Sequence, residues 1–158
     1  MTTSLKRAGT VLLSVLLLCT LALSAGAASK LRVGVKFWKT GSDKESMANS
    51  GIDTSREASL TRQSNGTYTL TLPIQQVSKM GVTGYLTGLT IGDVTYNGTL
   101  TGDFNKATAV LTIKNLPASV LTGSDVNKAL TVTCNIQMDL QVLGEINTSA
   151  RMCIWNQK

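Results

Sequence analysis

Ser46-Met47-Ala48-Asn49 places a hydroxyl, a thioether and an amide within four positions of a polar loop. The hydroxyl can hydrogen-bond an anionic group, and the polarisable thioether can pack on a flat apolar surface. The same residues also read as an ordinary loop whose one methionine plugs into a core. The usual catalytic chemistry is missing elsewhere. The chain contains no histidine, which removes the commonest general base and metal ligand, and with it histidine triads and most zinc sites. It holds no phosphate-binding glycine loop, paired catalytic carboxylates or serine nucleophile elbow. An enzyme is not expected.

Residues 1–27 read as a secretory signal peptide. Lys6 and Arg7 form its charged start, an apolar run of about 14 residues follows, and Ala25-Gly26-Ala27 offers a small-residue cleavage site. That run is short of the roughly 20 residues that span a bilayer, so no membrane association is expected after cleavage. The mature domain is then residues 28–158, secreted and either extracellular or loosely associated with a cell wall. Its net charge falls from +6 to +4, because two of the 15 basic residues leave and all nine acidic ones stay. The remaining cations are scattered singly, which does not suit a nucleic-acid partner.

Two cysteines survive cleavage, Cys134 and Cys153. An even count in an oxidising exterior predicts a disulfide. The two positions are symmetric about Leu143-Gly144, so a hairpin turning there would bring them opposite each other. Closing that loop of about 19 residues would be worth on the order of 3 kcal/mol.

Strand patterns carry these side chains. Val33, Val35 and Phe37 alternate with Gly34, Lys36 and Trp38, and Tyr68, Leu70 and Leu72 alternate with threonines. Asn65-Gly66 predicts a type I′ hairpin turn between residues 58–61 and 67–72. Asn97-Gly98 reads either as a second hairpin turn or as a mid-strand irregularity. One helical turn is expected over residues 124–129, capped by Ser124 or Asp125. The cleanest strand is 130–140, with Leu130, Val132, Cys134, Ile136, Met138 and Leu140 on one face, and 149–155 closes the chain. About eight short strands separated by turn residues predict an all-β, immunoglobulin-like two-sheet β-sandwich.

The order in residues 33–72 (strand, Ser46-Met47 segment, strand, Asn65-Gly66 turn, strand) resembles the front half of a NEAT (near-iron transporter) domain. Those are small immunoglobulin-like modules of Gram-positive bacteria, many of which bind haem. The resemblance implies that residues 46–49 form a short 3₁₀ lip roofing a ligand pocket, with Ser46, Met47 and Asn49 as ligand-binding residues. It also aligns Ala150-Arg151-Met152-Cys153-Ile154-Trp155 with the end of the family's last strand, adding Arg151 to the site. That strand carries two tyrosines four residues apart, the first of which ligates iron. Counting back from Arg151, their places are held by Gly144 and Thr148, so haem is expected to bind weakly or not at all. Met47, Met138 and Met152 remain as candidate axial donors, although Met138 shares its face with core-type residues. Tyr68, Tyr85 and Tyr96 lie on other strands and read as core or edge packing.

Two functions follow. One is a secreted ligand-binding module for haem or another flat hydrophobic molecule in iron acquisition. The other is an immunoglobulin-like adhesion or interaction module without cofactor, meeting a surface or host protein. Trp38 and Trp155 read as core packing or as contacts for such a partner.

Overall fold

The computed structural model describes residues 28–139 and 144–158. The expected leader, 1–27, and the tip of the last hairpin, 140–143, lie outside the described residues. Nine strands follow in order: β1 Lys30–Lys39, β2 Ala58–Arg62, β3 Tyr68–Pro73, β4 Val77–Lys79, β5 Val82–Ile91, β6 Val94–Thr101, β7 Val110–Leu116, β8 Leu130–Met138 and β9 Glu145–Asn156. The rest is turns and short 3₁₀ segments. The expected helical turn is one of these, Val126–Lys128, with the Asp125 side chain accepting from the Asn127 N–H.

All pairings are antiparallel, and the order β5-β6-β7-β3-β2-β1-β9-β8 closes on itself through β5–β8, with β4 added outside the circuit on β5. The all-β architecture matches the sequence reading, but the two separate sheets do not. Strands that change partner partway stitch the layers into one barrel-like sheet. β1 pairs with β2 over Lys30 to Val33 and with β9 over Val33 to Lys39. β6 pairs with β5 as far as Asn97 and with β7 from Gly98 onward. Asn97-Gly98 is therefore a corner within a strand, not a turn. A Cβ at Gly98 would fall 2.4 Å from Leu111 Cδ1, so only glycine lets the strand pass there.

The Asn65-Gly66 hairpin forms with a different turn. Gly66 alone has positive φ (83°), and its N–H donates to the Gln63 carbonyl at 3.0 Å. That is a type I turn followed by a left-handed glycine, where type I′ would need Asn65 left-handed too.

The core fills the barrel. Phe37, Leu60, Leu70, Leu89, Ile113 and Ile154 are each fully buried, and each such side chain stabilises the fold by about 1.5–3 kcal/mol over exposure.

The predicted disulfide is absent: Cys134 and Cys153 are free, and both are fully buried. Cys134 lies opposite Thr148 and Leu130 opposite Met152, which leaves the cysteines five residues out of register. Five residues is roughly 17 Å along a strand, and an odd offset puts the side chains on opposite faces. The reason lies in the core-facing sets. Val132 and Cys134 on β8, and Ala150, Met152 and Ile154 on β9, are all buried and all even-numbered. Pairing 134 with 153 would turn one of the two sets outward. Cys153 instead lies on the outer face beneath the 124–128 segment, its Sγ 3.6 Å from the Asp125 carbonyl oxygen.

Burial pushes the Cys134 thiol up from its usual 9.0 to about 12. The folded chain thus holds this proton more tightly than the unfolded one. The resulting stability is complete below about pH 9 and is lost as pH rises towards 12. A thiol assay on unreduced, denatured protein comprising residues 28–158 should find two thiols per chain. In urea titrations between pH 8 and 11, Cys134→Ala should lower stability at pH 8 and flatten its decline with pH. No free thiol would restore the disulfide.

Candidate functional site

The lip is a 3₁₀ turn, Met47–Gly51, hung on β1 by its own polar side chains. Ser46 is buried, and its Oγ accepts from the Ala48 N–H at 3.3 Å, capping the turn. Asn49 Oδ1 accepts from the Phe37 N–H and Asn49 Nδ2 donates to the Phe37 carbonyl, both at 2.7 Å. One amide side chain thereby replaces a strand partner. The far end of the lip is tied by the Gln75 N–H, which donates to the Gly51 carbonyl at 2.9 Å. Arg151 binds the loop leading to the lip: its Nη2 donates to the Ser42 carbonyl at 2.7 Å and to Asp43 Oδ1 at 2.9 Å. Its Nε donates to the Lys39 carbonyl at 3.3 Å.

Beneath the lip, at the mouth of the barrel, is a cavity of about 410 Å³, within the ordinary range for a small-molecule site. Met47, Ala48 and Gly51 form one side, and β4 and β5 with the intervening Met80 form a second. The third is Ile136, Met138, Ile146 and Thr148 from the last hairpin. The lining is almost wholly carbon and sulfur. Lys79, Thr148 and Tyr85 are its polar members. Met138 lies over Gly84, where a Cβ would come within 2.7 Å of the Met138 sulfur. The cavity continues the core, since Leu86 and Ile136 belong to both.

Of the four ligand-binding residues expected from the sequence, Met47 alone lines this cavity; Met138 from the candidate axial donors and Thr148 from the tyrosine positions line it too. Ser46, Asn49 and Arg151 lie outside it and hold the lip in place. Met138 has the inward face read from the sequence, but at the cavity end of its strand. Lys79, Met80, Val77 and Ile146 carried no sequence signal for a site. Tyr85, read as core or edge, lies on the cavity wall, its ring centroid 5.0 Å from that of Phe104. A break in β5 register between Leu86 and Gly88 obscures that placement in a simple alternation.

The donor set does not fit ligation of haem iron by the tyrosine pair. Thr148 reaches the cavity but carries an aliphatic hydroxyl. Gly144 has no side chain and a φ of +53°, which a tyrosine would adopt only with strain. Among the described residues, no group of three or more His, Cys, Asp or Glu side chains could hold a metal ion.

A second cleft, about 500 Å³, runs beside β1 where it leaves β2. Trp155 lies flat over Gly34, where a Cβ would come within 2.3 Å of the indole. The ion pairs Arg32–Glu57 and Lys36–Glu45 stand along its rim. Trp38 is partly buried on the same outer face. The Lys36 ammonium lies 4.6 Å from the centre of its ring, and its indole N–H is buried without a partner.

No family model matches the chain, and no curated protein matches it. Among solved structures, the fold is similar to the NEAT5 domain of IsdX2, a B. anthracis hemophore in complex with heme, and to a point mutant of that domain, also with heme. Each gives a TM-score of 0.53 at 10% identity, over 84% of this chain and 99% of the other. At that identity the likeness establishes a NEAT-like, immunoglobulin-like fold.

The two kinds of lip residue should separate on mutation. Met47 is 54% exposed, so Met47→Ala should cost under about 1 kcal/mol, where a packed methionine would cost about 2–5. Asn49→Ala leaves the Phe37 N–H unpaired and its carbonyl with the Ser46 N–H alone, and should cost about 1–3 kcal/mol. Urea denaturation of both variants checks the order, and the reverse order would mean that the methionine anchors the lip.

Proposed function

We propose that this chain is a secreted NEAT-like module that binds a flat hydrophobic ligand under the lip, in the service of iron acquisition. The observation that carries the reading is the apolar cavity between the lip and the last hairpin, in a fold shared with domains solved in complex with heme. The leader pattern in residues 1–27 supports secretion. Ser46, Asn49 and Arg151 pre-form the lip, so little ordering cost falls on the ligand when it enters. Met47, Met80 and Met138 supply adaptable, polarisable walls suited to a broad apolar face.

Haem itself would be held by these apolar contacts, without a phenolate from position 144 or 148. The cleft under Trp155 favours the second reading, an interaction module for a surface or host protein. An aromatic plate with charged residues at its rim is a common form of contact anchor.

Titration with haemin, followed by visible absorption, separates the two. Wild type should show weak binding with no tyrosinate-type spectrum. Thr148→Tyr places a phenol in the cavity and should create that spectrum. Tight binding by wild type with a tyrosinate spectrum, abolished in Tyr85→Phe, would show that Tyr85 does the ligation. If neither haemin nor any other flat apolar molecule binds, the interaction module stands instead.

A further inference from the structure

We propose that the cavity under the lip selects an apolar molecule bearing a carboxylate, with Lys79 holding the anionic end at the mouth. The inference rests on the ligand-binding reading above and assigns the chemistry of the ligand.

Lys79 is the one charged residue in the cavity lining. Its Nζ lies 3.5 Å from the Met47 sulfur, and a thioether is only a weak acceptor. Four cations have anionic partners, Arg32 with Glu57, Lys36 with Glu45, Arg56 with Asp53 and Arg151 with Asp43, and none of the four lines this cavity. Lys79 has no carboxylate partner among the described residues. An ammonium that is the only charge on a carbon-and-sulfur lining is complementary to an anion brought in by an apolar body.

The backbone points the same way. Lys79 pairs with Val82 across a two-residue loop in which Met80 (φ 53°) and Gly81 (φ 79°) are both left-handed. That is a type I′ turn with a non-glycine residue at its first central position, where Asn, Asp or Gly would be easier. The turn holds the Met80 thioether at the cavity rim, 94% exposed. Strain that displays an apolar side chain beside a cation, at the entrance of an apolar cavity, has the character of a ligand clamp. Ligand and mouth then match in order: carboxylate at Lys79, apolar body against Met47 and Met80, and the far end against Ile136, Met138 and Ile146.

Two sources share this chemistry, a long-chain fatty acid and a porphyrin with propionate arms. The test uses the secreted protein loaded with the neutral apolar dye N-phenylnaphthylamine and follows its displacement by fluorescence. At low salt, laurate should displace the dye about fivefold more effectively than dodecanol, the increment of one exposed ion pair. Lys79→Gln should erase the difference, Lys79→Arg should keep it, and high salt should shrink it. Lys79 is exposed, so both variants should fold as wild type does. Metal-free protoporphyrin displacing the dye better than laurate would assign the planar source, and the reverse order the chain source. Equal displacement by acid and alcohol would overturn the assignment to Lys79 while leaving the cavity a binding site. Failure of the dye and of every apolar competitor to bind would overturn both.

Discussion

β1 has two successive partners, and the site depends on that change. At Val33 it leaves β2, and from there to Lys39 only its β9 edge is paired by a strand. The other edge still carries the N–H and C=O of Phe37, whose side chain is fully buried. Such groups need partners. Asn49 supplies a donor and an acceptor at 2.7 Å, and the Ser46 N–H adds a second bond to the same carbonyl at 2.9 Å. The lip exists because those groups must be satisfied by something other than a strand. A lip held by side chains can stand off from the barrel mouth, where a further strand paired on that edge of β1 would have closed it.

The space left beneath the lip is apolar because it is the unfilled end of the core. β8 and β9 continue their inward-facing rows past the packed interior, so Ile136, Met138 and Ile146 face a cavity where Val132, Ala150 and Met152 face neighbours. Small residues keep it open: Gly51 forms part of the roof and Gly84 lets Met138 lie against β5. A cavity of this kind binds through shape and desolvation, and its polar edge is where selectivity arises. That edge here is Lys79 and Thr148. The tyrosine pair that the sequence resemblance called for is replaced by groups that cannot do a phenolate's work on iron.

The cysteines show how the same parity rule decides chemistry far from the site. Cys134 is held inside the barrel with a strongly raised thiol pKa, and Cys153 is covered on the outside by the 124–128 segment. Burial accounts for both without a bond between them, as it does for many cysteines that behave as small apolar residues. Their protection from oxidation is kinetic: neither sulfur is presented to solvent or to the other.

What the sequence determined by itself was local. Alternation over 33–38 and 130–138, the turn glycines and the aspartate-capped turn were legible because strand period, left-handed backbone and capping act between neighbours in the chain. The likeness of residues 33–72 to a NEAT front half was legible for the same reason, as an order of local elements. Closure of the sheet, the register of the last hairpin and the cavity were decided only in three dimensions. Partner switching at Val33 and Gly98 changes no residue's own conformation class, so periodicity carries no trace of it. Symmetry about residues 143–144 predicts the disulfide from local spacing, and the parity of the inward faces, which the packed core imposes, forbids it. Lys79, Met80 and Tyr85 carry no site signal in the sequence because each is ordinary in its own strand or turn and becomes part of a site only when β4, β5, β8 and the lip converge.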